Sequence, residues 1–123
     1  MFEQEQREAV ESYRRTSREL LSKGEQALEE GDHLQASEKF WGASAHMVKA
    51  LAERRGWRHV NHAALFRVVG QVASELEDEG LRDRFLEAGQ LHTNFYENWL
   101  DLETVKRGGE RVRELVERLE QLL

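Results

Sequence analysis

The sequence contains no proline in 123 residues. Proline is the strongest helix breaker, so only glycine, aspartate and asparagine remain to interrupt a helix. Between them, apolar residues recur three and four positions apart, as on one face of an α-helix. No segment alternates with the period of two that a half-buried strand requires. The pattern predicts an all-α bundle of about five helices and no sheet.

The first predicted helix covers about residues 3 to 30 and the second about 33 to 55. Gly31 favours the left-handed conformation that ends a helix, and Asp32 is a good N-cap for the next one. The second segment is apolar around much of its circumference. A helix of that kind is normally buried, so it is predicted to lie at the centre of the bundle.

Asn61 is predicted to cap a third helix, which Gly80 ends. A fourth helix is predicted at about 81 to 100, and Asp101 is predicted to cap a fifth. The glycines at 108–109 are expected to kink that last helix. All connections are short, which favours antiparallel neighbours in an up-and-down bundle, and the length fits one domain over residues 1–123.

Composition excludes several classes of protein. Without cysteine there are no disulfides and no Cys-ligated zinc. The polar start lacks the apolar core of a signal peptide, and no run of about 18 apolar residues is long enough to span a membrane. The formal charge of −6 argues against nucleic-acid binding by the whole surface. We therefore expect a cytoplasmic protein without a membrane partner.

Positive charge is concentrated in one part of this acidic chain. Residues 38–70 carry a formal balance of +4, whereas residues 71–103 carry −7 and the first 32 residues carry −4. Within the positive stretch, cationic, indole and imidazole side chains cluster around the turn after the second helix. These candidate anion- or nucleotide-binding residues are Arg54, Arg55, Trp57, Arg58, His59 and His62.

Two interpretations of this cluster are open. In a binding site, Trp57 would stack on a base while the arginines hold phosphates. In a structural role, Trp57 would close the end of the bundle. Arg54 and Arg55 would then complement the dipole of the second helix and pair with the acidic flanks.

Histidines mark two further positions. His92 lies on the apolar stripe of the fourth helix, with Tyr96 one turn later. The pair is predicted to form a buried polar node, and the alternative for His92 is a titrating group in a pocket. His46 receives the same interpretation. The three-residue spacing of His59 and His62 is too weak a signal to predict a metal site. Phosphate loops, nucleophile elbows and dinucleotide-binding turns are absent, so we expect no cofactor and do not assign an enzymatic activity.

Several blocks of the sequence resemble the PaREP-type family, which is mostly archaeal and related to the HEPN domains. The resemblance covers roughly residues 20 to 120 and rests on short motifs in the same order. They are Gly31-Asp32, Ala36-Ser37-Glu38-Lys39, Trp41-Gly42-Ala43, Lys49-Ala50-Leu51, Gly56-Trp57, His62 with Leu65-Phe66, and Leu91-His92 with Asn94-Phe95-Tyr96-Glu97. It implies a HEPN-like homodimer, in a superfamily associated with RNA cleavage, nucleotide binding and nucleotidyltransferase partners.

Ribonucleases of that superfamily carry an arginine and a histidine with four to six residues between them, at the start of a late helix. Here the pattern occurs as Arg54 with His59 and as Arg55 with His62, but it follows the second helix. The late histidine, His92, has no such arginine. The leading hypothesis is therefore a non-catalytic dimer that binds a nucleotide, nucleic acid or protein. The alternatives are a metal-independent endoribonuclease and a tetratricopeptide-like protein-interaction module.

A second resemblance is to the tetratricopeptide hairpin, a protein-interaction module. Its small and aromatic positions are matched by Gly24, Gly31, Ala36, Phe40 and Ala43. Such repeats need about three stacked copies to bury a continuous core, and this sequence contains one. The match is therefore interpreted as the shared packing of a helical hairpin.

Overall fold

A computed structural model describes residues 2–123. That part of the chain contains five α-helices and no strand, so the predicted all-α fold class is confirmed. The helices are α1 (Phe2–Glu29), α2 (His33–Arg55), α3 (His62–Leu76), α4 (Glu79–Glu97) and α5 (Leu102–Glu120).

Helix α2 is the centre of the bundle, as predicted, because it packs against each of the other four helices. Its buried side chains lie on almost every side, and Phe40, Met47 and Leu51 are among the largest fully buried ones. Helix α1 contacts only α2 and α5, and α3 contacts only α2 and α4. The buried apolar surface that stabilises the domain is therefore concentrated along one central helix.

The three predicted N-caps are confirmed. The side chains of Asp32, Asn61 and Asp101 accept hydrogen bonds from backbone amides three residues later, at 3.1, 2.8 and 2.8 Å. Each bond satisfies a backbone donor that the first turn of a helix leaves without an intrahelical partner.

Two predicted helix ends are wrong. Helix α3 stops at Leu76, because Glu77 takes the left-handed conformation at φ 52°, and Gly80 lies within the first turn of α4. Helix α4 stops at Glu97, where Asn98 is also left-handed. Non-glycine residues supply both stops. The third helix was predicted to end at a glycine and the fourth to follow its apolar stripe as far as Trp99, so both ends were placed too late.

The glycines at 108–109 do not interrupt α5, which is continuous. They are points of close packing instead. A Cβ on Gly109 would lie 2.5 Å from the ring of Phe40, and one on Gly108 would lie 2.9 Å from Leu91. On the opposite side of the same ring, a Cβ on Gly24 would lie 2.7 Å away. Phe40 is thus held between glycines of α1 and α5.

The expected antiparallel alternation holds at three of the four connections. Helices α2 and α3 are the exception. The Trp41 and His62 rings lie 5.2 Å apart, so the start of α3 lies beside the first half of α2. Arg55 pairs with Glu75, so the ends of the two helices also lie together. Helix α3 therefore runs in the same direction as α2. The connection at residues 56–61 returns along α2 to make this possible, and we call it the strap.

Candidate functional site

The residues of the predicted basic cluster do not form one surface, because they lie on different sides of the strap. Trp57 packs partly against the core, and the Arg55 guanidinium lies 5.0 Å from the centre of its ring. Arg55 also pairs with Glu75 at 2.5 Å. The hollow beside Trp57 is lined by Phe2, Gln6, Gly56 and three carboxylates, those of Glu3, Glu5 and Glu53. Arg55 and Trp57 therefore have the packing and pairing of the structural interpretation.

In neither match to the ribonuclease motif does the arginine bond to its histidine. Arg54 and Arg58 are exposed and have no ion-pair partner among residues 2–123. His59 instead pairs through Nε2 with Glu53 at 2.8 Å, and its ring meets Tyr13 edge-on at 5.5 Å. Within the described chain, no hydrogen bond joins either arginine of the motif to His59 or His62.

His62 faces the other side of the strap, where it lines a groove of about 690 Å³. One wall is α2 and the other is formed by the strap and the first turn of α3. We call this the α2–α3 groove. Its lining residues are Trp41, Gly42, Ala45, His46, Lys49, His59, Val60, Asn61, His62, Ala63 and Leu65.

The α2–α3 groove contains no carboxylate in its lining, although the protein carries 24 acidic residues against 18 lysines and arginines. Lys49 is half-buried in it and has no ion-pair partner within residues 2–123. At the mouth, Asn61 caps α3, whose first backbone amides carry the positive end of the helix dipole. The groove is thus a concavity whose lining carries one cation and no carboxylate, on an acidic molecule.

His46 adds a hydrogen-bond acceptor to the groove rather than a charge. Its Nδ1 lies 2.8 Å from the carbonyl oxygen of Gly42 and donates to it in the neutral tautomer. Burial, more than the nearby charge of Lys49, lowers the pKa of His46 below its ordinary value of 6.5. At neutral pH the imidazole is therefore uncharged, and Nε2 is the atom left to accept a hydrogen bond.

A cluster of aromatic rings continues from the groove towards α4. The His62 ring contacts both Trp41 and His92, with centroids 5.2 and 5.3 Å apart, and Trp41 stacks on His92 at 5.2 Å. His92 also hydrogen-bonds through Nδ1 to Glu38 at 3.0 Å, and its ring meets Tyr96 edge-on at 5.5 Å. His62 and His92 lie 30 positions apart in the sequence, which gives no sign that their rings meet.

The predicted buried node of His92 and Tyr96 needs correction. The Tyr96 residue is 71% exposed, and His92 is only partly buried. The buried polar centre of this region is Asn94, which is inaccessible to solvent and donates to Ser37 Oγ at 2.9 Å. Asn94 Oδ1 accepts from the backbone amides of Trp99 and Leu100 at 2.9 and 2.8 Å, which turns the chain away from α4.

This turn also explains the position of Trp99, which sequence periodicity placed on the core stripe of the fourth helix. It lies beyond the end of α4 and is 60% exposed. Three features of the site were missed by sequence reasoning: Lys49, Glu38 and Asn94. Lys49 and Glu38 lie within the predicted positive stretch, but only the folded chain shows which cations have carboxylate partners.

Two further structural observations bear on function. No helix within residues 2–123 combines the length and apolar character needed to cross a bilayer. Among the same residues, no three histidine, aspartate or glutamate side chains converge in a way that suits a metal ion.

Comparison with known proteins gives a family and a fold. A crystal structure of a protein from Sulfolobus solfataricus superposes with a TM-score of 0.77 at 23% sequence identity, covering 86% of this chain and 94% of the other. At that identity the likeness shows the fold alone. Curated protein sequences give no significant match. The family model described as the archaeal PaREP1/PaREP8 family matches residues 12–116, which is most of the chain. The protein therefore belongs to the archaeal PaREP1/PaREP8 family.

Proposed function

We propose that this protein is a non-catalytic binding module and that the α2–α3 groove takes a phosphate-bearing ligand, a nucleotide or a nucleic acid. The observation that carries the proposal is the contrast between the groove and the rest of the surface. Lys49 lies in a concavity without a single carboxylate in its lining. A cation enclosed in this way interacts more strongly with an anion than an exposed one does.

The other hollows do not share this chemistry. The hollow beside Trp57 is lined by three glutamates, and the one between α4 and α5 carries both signs of charge around Leu91 and Leu100. The volume of the α2–α3 groove, about 690 Å³, lies within the usual range for small-ligand sites, roughly 300 to 1,000 Å³. The other hollows, at about 480 to 610 Å³, fall in the same range, so the charge of its lining is what distinguishes the α2–α3 groove.

The experiment is a titration of the protein with ADP and with a fluorescein-labelled single strand of eight nucleotides. Wild type should bind at least one of them, and Lys49→Ala should weaken that binding at least fivefold. Lys39→Ala is the matched control, since it removes the same charge from the same helix but lies outside the groove lining. Equal affinity of wild type and Lys49→Ala, or no binding of either ligand, would rule the proposal out.

The HEPN-like relationship and the homodimer belong to the same proposal and rest on the family resemblance. A nucleotidyltransferase-like protein is the partner that the resemblance implies. Sedimentation velocity at micromolar concentration tests the assembly. A protein that sediments as a monomer of 14.4 kDa would argue against the HEPN-like dimer.

A further inference from the structure

Tyr96 is an exposed aromatic ring at the edge of the proposed binding site. The residue is 71% exposed, yet its ring is not isolated. It meets the His92 ring at 5.5 Å, and His92 meets His62, which lines the α2–α3 groove, at 5.3 Å. Two ring contacts therefore connect Tyr96 to the wall of the groove.

The ring that contacts Tyr96 has further partners of its own. His92 hydrogen-bonds to Glu38 and stacks on Trp41, and these interactions hold it in place. Phe95 meets the Tyr96 ring edge-on at 5.2 Å. Despite these two contacts the residue is 71% exposed, so ring surface remains accessible to a flat ligand.

The separation between Lys49 and this ring says how long the ligand must be. Lys49 lies eight residues along α2 from Trp41, about 12 Å at 1.5 Å per residue. Trp41 contacts His62, and Tyr96 lies beyond His62 and His92. This path is more than three times the axial rise per nucleotide in a duplex strand, about 3.4 Å. A ligand that reaches both points needs more than one nucleotide.

We infer that the ligand is single-stranded nucleic acid, with a phosphate held near Lys49 and a base stacked on Tyr96. The inference rests on the proposed function and names its ligand class. Stacking on an aromatic side chain accepts every base, because each base has a π face. A duplex would not present a free base to the ring, so the site discriminates against it.

The test compares an eight-nucleotide single strand, offered as RNA and as DNA, with the same sequence as a duplex and with ADP. Tyr96→Ala should weaken single-strand binding by about 5- to 160-fold, the effect of losing one stacked base. Tyr96→Phe should keep the affinity because it keeps the ring. Trp99→Ala is the control, since Trp99 is 60% exposed nearby but absent from the ring cluster.

Salt dependence separates the roles of the two residues. For a single strand, the slope of log affinity against log salt changes by about 0.7 for each phosphate neutralised. Lys49→Ala should reduce the slope by that amount, whereas Tyr96→Ala should leave it unchanged.

The outcomes distinguish the inference from the proposal on which it rests. If Lys49→Ala loses binding but Tyr96→Ala matches wild type, the inference is wrong and the proposed groove stands. Equal affinity for duplex and single strand would also overturn it. If wild type binds neither strand nor ADP, both are wrong, and binding of ADP alone removes only the inference.

Discussion

The Asn94 side chain joins α4 to α2 by donating a 2.9 Å hydrogen bond to Ser37 Oγ, in a region inaccessible to solvent. Its Oδ1 simultaneously accepts from the amides of Trp99 and Leu100. Asn94→Ala would leave these groups without a partner, so it should lower the free energy of unfolding by about 2 to 3 kcal/mol. Urea denaturation measures the loss.

The control is Gln90→Ala, on an exposed face of the same helix, which should change stability by less than about 0.5 kcal/mol. Similar losses for the two variants would show that Asn94 is not a structural node.

Glycines in the middle of helices should respond to alanine with opposite signs. Alanine at Gly109 would place a methyl group 2.5 Å from the Phe40 ring, and overpacking of this kind costs about 1 to 3 kcal/mol. At Gly89 the nearest atom is a Phe66 ring carbon at 3.6 Å, an ordinary contact. Gly89→Ala should therefore stabilise the protein by about 0.5 to 1 kcal/mol through helix propensity.

Thermal unfolding of both variants, followed by circular dichroism, measures the two effects. A stabilised Gly109→Ala would contradict the packing described for Phe40. The comparison is sensitive because helix propensity favours alanine equally at the two positions.

His46 should make the folded state sensitive to mild acid. Burial lowers its pKa in the folded protein below the ordinary value of 6.5, so the unfolded chain binds a proton more readily. Its contribution to stability is complete above pH 6.5 and is lost as the pH falls through the folded-state pKa. The free energy of unfolding, measured from pH 8 to 5, should fall less steeply for His46→Asn than for wild type. Parallel profiles would contradict the assignment.

Glu120 should contribute stability over a different range of pH. Hydrogen bonds from Arg18 and Arg14 hold the pKa of Glu120 below its ordinary value of 4.5 and connect α5 to α1. The stabilisation is present above pH 4.5 and is lost as the pH falls through the lowered pKa. Glu120→Gln should thus be destabilising at pH 7, and the difference from wild type should shrink by pH 3. A constant difference across this range would argue against ionisation as its cause.

Helix periodicity was sufficient to predict five helices, their three side-chain N-caps and the central position of α2. It failed where an interaction across helices determines the local structure. The end of α4 depends on Asn94 accepting hydrogen bonds from the chain that follows, and this displaces Trp99 from the stripe. The local sequence does not predict these hydrogen bonds, since asparagine is equally common at solvent-facing positions.

Only part of the candidate site was predicted, because the rest depends on contacts between helices. A count of charges found the positive stretch that contains Lys49 and His62. It could not separate Arg55, which pairs with Glu75, from a cation without a partner. Nor could it place His92 beside His62, because the expected reversal between the second and third helices would have set those two residues apart.

The packing of α3 has a consequence for local unfolding of the protein. Helix α3 is held only by α2 and α4, and its first turn is one wall of the α2–α3 groove. If α3 detaches locally while the other helices stay folded, the groove ceases to exist. A ligand in the groove binds only the state in which α3 is docked, and so stabilises that state. It should therefore slow amide hydrogen exchange along all of α3, including residues that it does not touch.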